Sequence, residues 1–242
     1  MRWRAELFDR IYIVNLPERT DRRREMEDQL VKVGLGGHPR VMFFPAIRPN
    51  AAGEFPSIGA RGCFSSHLAI LQDAAQQGLQ RILIPEDDLD FSRDFNARIG
   101  ALCARLQQSD WGVFYGGYEL LQPLAGPDAE IQSMAAEAAV RTTHFVAFQA
   151  PVMERAAAYL QAMLARPGGH PDGGPMHVDG AYSWFRRQHP EMLTLIAVPE
   201  LGYQRSSKTD IHPLSWIDRT PLLRDAANLA RKLKNHLRSS RA

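Results

Sequence analysis

The residues best suited to chemistry are three consecutive acids, Glu86, Asp87 and Asp88, which come directly after a short apolar run. Adjacent carboxylates repel one another, so a cation or the surrounding water has to offset the repulsion. Mg2+ and Mn2+ take oxygen ligands, and proteins commonly hold them through one or two carboxylates together with substrate phosphates. The cluster therefore indicates either a site for a hard divalent cation or a solvated acidic turn.

The acids are expected at the carboxyl end of a buried strand. Ile82, Leu83 and Ile84 form a continuous apolar run, which is typical of a strand covered on both faces of an α/β sheet. Pro85 cannot donate to a sheet ladder and fits the end of that strand. Ligands of open α/β sheets bind at this edge, so the acids mark the candidate active site.

Four arginines gather early in the chain, after another predicted buried strand at residues 11–16. Arg19, Arg22, Arg23 and Arg24 crowd the start of the helix that follows. The helix dipole disfavours cations at this end, so helix stability does not explain their placement. Two interpretations remain: contact with a phosphate for one or two of them, and simple solvation for the others.

Two further stretches carry candidate polar groups. Residues 59–71 predict a helix whose glycine- and serine-containing start offers backbone N–H groups to a phosphate or a ribose. His67 lies beside the apolar stripe of this helix and is either a hydrogen-bonded core residue or a ligand. Asp179 precedes an apolar helical pattern, where it is either an N-cap or a catalytic carboxylate at a loop-to-helix junction.

Composition favours one α/β domain followed by a tail. The 242 residues are 45% hydrophobic, which is ample for one core. Two cysteines, Cys63 and Cys103, cannot supply a disulfide framework or a structural zinc site, which is typical of a reducing compartment. No apolar run approaches the roughly 18 residues that a membrane span requires. We therefore expect a cytoplasmic protein with a domain at residues 1–215 and a tail at residues 216–242.

The tail concentrates the positive charge of the chain. From residue 219 onward there are seven basic residues and one acid, a local charge of +6 that leaves −4 for the remainder. Leucines and alanines on one face predict an amphipathic basic helix, either docked on the core or lying on anionic lipid. A slightly acidic body with a basic tail does not indicate a nucleic-acid-binding fold.

Five segments, in this order, resemble glycosyltransferase family 25, whose bacterial members include lipooligosaccharide galactosyltransferases and whose animal relatives modify collagen. The segments are IYIVNLPERTDRR at residues 11–23, GARGCFSSHLAIL at 59–71, the apolar strand and acids at 82–88, His177 to Asp179, and residues 204–211. The sequence departs from the family pattern at Pro85, His177 and Thr209, where leucine, proline and serine are usual.

The resemblance implies a GT-A-like (Rossmann-like) mixed sheet flanked by helices, with a DXD-like acidic motif. It also implies a metal-dependent, inverting galactosyltransferase that uses Mn2+ or Mg2+ and a UDP-sugar donor. The acceptor would be an oligosaccharide of lipopolysaccharide, lipooligosaccharide or another surface glycan. We accordingly expect a peripheral position at the inner face of the membrane, with contact to anionic lipid through the tail and no nucleic-acid partner.

Residue roles follow from the same resemblance. Glu86 and Asp88 would hold the metal, with His212 completing its coordination or clasping the diphosphate. Asp179 would take the proton of the acceptor hydroxyl, since inversion in one displacement needs such a base. The residues expected around the nucleotide are Asn15, Arg19, Arg22, Ser66, His67 and Asp87, the last reaching either the ion or the ribose.

Two other functions are compatible with the sequence. A catalytically degenerate relative would keep the fold as a binding or assembly module. A Mg2+-dependent nucleotidyl or phosphoryl transferase would also use clustered acids, although the absence of a P-loop counts against a kinase-like version.

Overall fold

The computed structural model describes residues 5–121 and 129–205. Nine strands and five α-helices follow a short 3-10 helix at Ala5–Leu7. The strands are β1 (Arg10–Asn15), β2 (Val41–Pro45), β3 (Arg81–Pro85), β4 (Leu89–Phe91), β5 (Val113–Leu120), β6 (Ile131–Met134), β7 (Val140–Gln149), β8 (Thr194–Ala197) and β9 (Gly202–Gln204). The helices are α1 (Thr20–Lys32), α2 (Ile58–Gln76), α3 (Phe95–Gln107), α4 (Val152–Leu164) and α5 (Val178–Gln188).

Seven of the strands form one mixed sheet in the order β2-β1-β3-β7-β5-β8-β6, and β4 pairs with β9 in a separate two-stranded sheet. The strands β2, β1 and β3 are mutually parallel, whereas β7 is antiparallel to both of its neighbours. Sequence analysis correctly predicted the α/β class and the mixed sheet flanked by helices.

Helices cover both faces of the sheet because side chains alternate along each strand. Ile11 and Ile13 of β1 pack into one core cluster, with apolar residues of α1 and α3. Tyr12, between them, packs into the other cluster with apolar residues of α2, α4 and α5. Strand β3 divides its side chains in the same way, with Leu83 on the first face and Ile82 on the second. This double cover explains the continuous apolar runs of the two strands.

The parallel strands β1, β2 and β3 end at a common edge. Asn15 is in register with Pro45, and Val14 forms a bridge with Glu86 just beyond β3. Helix α2 begins at the same edge, where the Ser57 hydroxyl accepts a hydrogen bond from the Ala60 N–H at 3.0 Å. The predicted strand, its closing proline and the acids beyond it are thus confirmed, and this edge carries the candidate site.

Two further strands show features that apolar runs do not reveal. Residues 131–134 form β6, in which Ile131 and Met134 are buried against the sheet. Gly116 and Gly117 lie within β5, where other groups approach the backbone closely. A Cβ at Gly117 would stand 2.5 Å from Nε2 of His144.

The predicted tail at residues 216–242 lies outside the described residues. None of the described helices combines the length and the hydropathy needed to cross a membrane.

Candidate active site

A cleft of about 260 Å³ opens between the ends of β1 and β3 and the first turns of α2. Two acids and several cationic or neutral polar groups face it, which makes it suitable for a charged ligand. Its polar lining consists of Arg19, Arg22, Arg48, Cys63, Ser66, Glu86 and Asp87. Apolar groups, among them Ile47 and Ile58, complete the wall.

Asp87 is anchored by residues from the first strand and the turn after it. Its Oδ2 accepts a hydrogen bond from Nδ2 of Asn15 at 2.7 Å, and its Oδ1 lies 2.9 Å from Nη1 of Arg22. The same Nη1 lies 3.1 Å from Oδ2 of Asp88. Arg22 therefore bridges two of the three acids. Sequence analysis considered phosphate contact or solvation for the early arginines and did not foresee this ion pairing of Arg22 with the acids.

Asp88 is 5% exposed, and one of its oxygens is left unsatisfied by the part of the chain that the structure describes. Its Oδ2 accepts from Arg22 and from Nε2 of Gln204, the latter at 3.5 Å. Its Oδ1 is buried and finds no hydrogen-bond partner among the described residues. Leaving a buried polar atom unpaired costs about 1–3 kcal/mol, more when the group is charged. A cation at Oδ1 would remove that cost.

The electrostatics of the cluster disfavour three negative charges. Burial, followed by the charges of Asp88 and Asp87, raises the pKa of Glu86 to about 8. Burial also raises the pKa values of Asp87 and Asp88, although the Arg22 guanidinium opposes both shifts. The protein therefore holds more carboxylate than its own cations compensate, as expected for a group of metal ligands.

The start of α2 is fixed tightly to the loop after β2. The Ser66 hydroxyl donates to the Gly62 carbonyl at 2.7 Å and accepts from the Ile47 N–H at 2.8 Å. A Cβ at Gly62 would stand 2.6 Å from the Ile47 carbonyl oxygen, so only glycine permits this approach. Ser66 thus lines the cleft, as predicted for the nucleotide pocket, but its hydroxyl is engaged in positioning the loop.

His67 is fully buried behind the lining of the cleft. Its Nδ1 lies 3.1 Å from the Tyr182 hydroxyl, and its Nε2 has no hydrogen-bond partner among the described residues. Burial lowers the pKa of His67 to about 4. The ring is thus a buried, hydrogen-bonded residue outside the cleft lining, and its unpaired Nε2 leaves the interpretation as a ligand open.

Asp179 is the second residue of α5 and not its N-cap, a position that His177 occupies. The capping interpretation is therefore wrong. Its Oδ2 accepts from the Thr142 N–H at 2.9 Å, and its Oδ1 accepts from the Gly180 N–H at 2.7 Å. Its charge contributes to the raised pKa of Glu86, which places Asp179 near the acid cluster.

Thr142, the donor to Asp179, has a φ of 60°. This left-handed conformation is unfavourable for a β-branched residue and costs on the order of 1–3 kcal/mol. The Thr142 Oγ1 lies 3.1 Å from Nδ1 of His144, a buried residue two positions along the same strand. Strained backbone of this kind clusters at functional sites, and here it orients a candidate catalytic carboxylate.

The structure therefore gathers most of the predicted site residues at one edge, with Asn15 beneath the acids, the two arginines and Ser66 at the cleft, and Asp179 nearby. His212 lies outside the described residues. Sequence analysis missed Arg48, Thr142 and Tyr182 as site residues. Arg48 lies in a loop that carries no periodic signal, and the other two are brought to the site only by tertiary packing.

Comparison with known proteins finds similarity to glycosyltransferase family 25 over part of the chain. The sequence model described as "Glycosyltransferase family 25 (LPS biosynthesis protein)" matches residues 51–120, which contain α2, β3 and the acids. A Homo sapiens protein named "Inactive glycosyltransferase 25 family member 3" is 26% identical over 135 residues, 48% of this chain and 23% of that protein. "Procollagen galactosyltransferase 1" of Danio rerio is 29% identical over 134 residues, 48% of this chain and 22% of that protein.

The alignments thus span less than a quarter of either relative's length. Among solved structures, a glycosyltransferase involved in the glycosylation of the major capsid of PBCV-1 is 13% identical. It covers 82% of this chain and 93% of its own, with a TM-score of 0.40. A similarity at this TM-score carries no argument about the site.

Proposed function

We propose that this chain transfers a hexosyl group from a UDP-sugar to an oligosaccharide acceptor, with inversion at the anomeric carbon. Support comes from the match of residues 51–120 to the family 25 model and from the similarity to proteins named as a family 25 member and as a galactosyltransferase. Galactose is the first candidate for the sugar, since one relative is named a galactosyltransferase. The proposed acceptor is a lipopolysaccharide, lipooligosaccharide or other surface-glycan precursor, in keeping with the description of the family.

The unsatisfied Oδ1 of Asp88 beside Glu86 is the observation that carries the proposal. Together with the raised pKa values of the acids, it fits the residues to a divalent cation, Mn2+ or Mg2+. Glu86 and Asp88 would hold the ion, whereas the bonds from Asn15 and Arg22 make Asp87 the anchor of the cluster. When bound, such an ion supplies Lewis-acid stabilisation of the charge on a departing diphosphate.

The lining of the cleft suits a nucleoside diphosphate. Arg19 and Arg48 line it, in the segments that follow β1 and β2. Guanidinium groups form strong charge-assisted hydrogen bonds with phosphate oxygens. The first turns of α2 add backbone N–H groups with the favourable end of a helix dipole. Ile47 and Ile58 offer apolar surface to the base or the ribose.

Asp179 is proposed to accept the proton of the acceptor hydroxyl. Its two oxygens accept N–H groups from Thr142 and Gly180, which fix the orientation of the carboxylate. A carboxylate offers about four lone pairs, so both oxygens keep a further acceptor site for the hydroxyl. Proton removal strengthens the nucleophile as it attacks the anomeric carbon from the face opposite the diphosphate.

A panel of UDP-sugars with released UDP as the readout tests this function. We expect turnover with at least one donor in Mn2+ or Mg2+, its loss in EDTA, and a decrease of at least about 100-fold for Asp88→Asn, as for other removed electrostatic groups. Asp110→Asn, which changes an exposed aspartate, is the matched control. Turnover that survives both EDTA and Asp88→Asn would contradict the assigned metal ligands.

A degenerate binding or assembly module is the second candidate, and the name of the Homo sapiens relative favours it. Such a module would bind UDP with Mn2+ yet release no UDP from any donor while remaining folded. Release of pyrophosphate or phosphate in place of UDP would instead identify a nucleotidyl or phosphoryl transferase.

A further inference from the structure

A second group of potential metal ligands lies at the floor of the cleft. Cys63 and His67 are one helical turn apart on α2 and therefore share a face of the helix. Glu86 approaches them from the end of β3. One ligand atom from each of the three residues lies within 4.8 Å of the other two.

His67 is prepared for coordination. Its Nδ1 contacts the Tyr182 hydroxyl at 3.1 Å, which leaves Nε2 as the nitrogen available to a cation. His67 is 0% exposed, so water does not reach that Nε2, and the nitrogen has no hydrogen-bond partner among the described residues. A histidine that binds a metal through one nitrogen usually donates its other N–H to an oxygen, and Tyr182 supplies that oxygen.

The donor set selects the type of ion. A thiolate, an imidazole and a carboxylate suit Zn2+, whereas Mg2+ and Mn2+ prefer oxygen ligands alone. Cys63 and Glu86 also line the cleft, so a fourth position would face its interior. We propose that Cys63, His67 and Glu86 bind Zn2+, with the fourth coordination position open to the cleft.

The geometry needs only a small adjustment. With Zn–S near 2.3 Å and Zn–N and Zn–O near 2.1 Å, ligand atoms in a tetrahedral site are separated by about 3.5 Å. The three ligand atoms already lie within 4.8 Å of one another, so reaching that separation would take shifts on the order of 1 Å. The contact with the Tyr182 hydroxyl keeps the imidazole of His67 in place during this adjustment.

The site has a functional consequence because Glu86 also belongs to the acid cluster. Zn2+ on Cys63, His67 and Glu86 withdraws that carboxylate from a hard cation and occupies space in the cleft. Zn2+ would then inhibit the transfer reaction of the preceding section. This consequence rests on the proposed function, whereas the binding of Zn2+ does not.

Co2+ binding to the EDTA-treated full-length protein tests the site without any donor. Co2+ replaces Zn2+ in such sites, and a thiolate ligand produces an intense near-ultraviolet charge-transfer band together with tetrahedral visible bands. We expect these bands at one equivalent of Co2+ and their loss on adding Zn2+. Absence of the thiolate band would overturn the proposal.

Variants locate the ligands. Cys63→Ala should abolish the thiolate band and weaken Zn2+ binding by more than about 100-fold, beyond the 10–100-fold that follows from losing a ligand's hydrogen-bond partner. Cys103→Ala is the matched control, because it removes the other cysteine, a buried residue of α3. This variant should retain the thiolate band and the Zn2+ affinity. Unchanged Zn2+ affinity in a folded Cys63→Ala would contradict the site.

Tyr182→Phe keeps the ring and removes only the hydroxyl that holds His67, so it serves if Cys63→Ala does not fold. We expect it to weaken Zn2+ binding about 10-fold while the thiolate band persists. A thiolate band with unchanged affinity in this variant would show that His67 is not a ligand. Circular dichroism of each variant confirms that the fold is retained.

Discussion

At the scale of single residues, the acid cluster of Glu86, Asp87 and Asp88 lowers the stability of the metal-free protein and provides ligands for a cation. Glu86 and Asp88 are held close together with raised pKa values, and one oxygen of Asp88 lacks a partner within residues 5–121 and 129–205. Such an arrangement is unfavourable in the protein alone and becomes favourable once a cation is present. The cluster is therefore better explained by a ligand than by folding.

Glu86→Gln should stabilise the metal-free protein. The pKa of Glu86 is raised from 4.5 to about 8, so its neutral form favours the fold below pH 4.5, and this contribution disappears as the pH rises through about 8. Urea unfolding in EDTA at pH 8.5 should give a free energy of unfolding about 1–3 kcal/mol higher than that of the wild type, the usual cost of an ill-satisfied buried polar group.

The control for this measurement is Glu137→Gln, which changes an exposed acid and should alter stability by less than about 0.5 kcal/mol. A destabilised Glu86→Gln in EDTA would mean that the carboxylate is needed for folding.

The titration of His67 provides a second prediction at this scale. Because burial lowers its pKa from 6.5 to about 4, its contribution to stability is complete above pH 6.5 and is lost progressively as the pH falls toward 4. NMR of histidine-labelled protein in EDTA should show one imidazole that remains neutral at pH 5, assigned by its absence in His67→Gln. An imidazole of His67 that titrates near pH 6.5 would contradict its burial.

At the scale of elements, α2 and the loop after β2 form one wall of the cleft. Their closeness depends on Gly62, whose missing side chain admits the Ile47 carbonyl, and on the Ser66 hydroxyl that joins the two segments. The loop carries Arg48 into the lining. The distance between helix and loop therefore sets the width available to a ligand.

Gly62→Ala should move α2 and the loop after β2 apart. The new Cβ would meet backbone at 2.6 Å, and the resulting shift should cost about 1–3 kcal/mol of stability despite the better helix propensity of alanine. UDP affinity should decrease as Arg48 moves. Gly180→Ala in α5 is the matched control for stability, because its Cβ would meet only the flexible Met176 side chain. Equal stability of Gly62→Ala and wild type would contradict the tight packing.

Apolar patterns were sufficient to predict most elements that position the site. The runs at residues 11–16 and 82–84 are strands because they are buried on both faces, and the sequence shows this directly. The partners of the site side chains were not predictable. Thr142 reaches Asp179, and Tyr182 reaches His67, only through tertiary packing across 37 and 115 positions of the chain. The φ of 60° at Thr142 has no counterpart in a local sequence preference.

At the scale of the whole molecule, the site lies where the parallel half of the sheet ends, and the antiparallel β7 brings Thr142 and His144 to it from the other side. Functional groups thus come from positions as distant as Asn15, on the seven-stranded sheet, and Gln204, on the β4–β9 pair. Binding at the cleft should accordingly stabilise the whole domain and not a single loop.

UDP together with Mn2+ should raise the melting temperature in proportion to the logarithm of ligand concentration. At 100 times the dissociation constant the added stability is about 2.7 kcal/mol, if only the folded state binds. Differential scanning fluorimetry should show little effect from UDP in EDTA and a large one with Mn2+, and Asp88→Asn should abolish the difference. Equal shifts with EDTA and Mn2+ would show that UDP binds without the ion.

The basic tail, predicted from sequence alone, leads to a separate test. Sedimentation with vesicles that contain anionic lipid should be lost when the residues after Pro221 are deleted, because the positive charges lie there. Neutral vesicles and high salt are the controls, since screening removes such attraction. Equal sedimentation of the shortened protein would contradict membrane contact through the tail.

The connection of β9 to the acids has a mechanical consequence. The Arg205 N–H donates to the Asp88 carbonyl at 2.7 Å, and its guanidinium bonds Asp90 and Glu25. The last described residue of the chain is therefore bonded directly to the acid cluster. A movement of Asp88, such as cation binding would cause, should accordingly also move Arg205 and the end of β9.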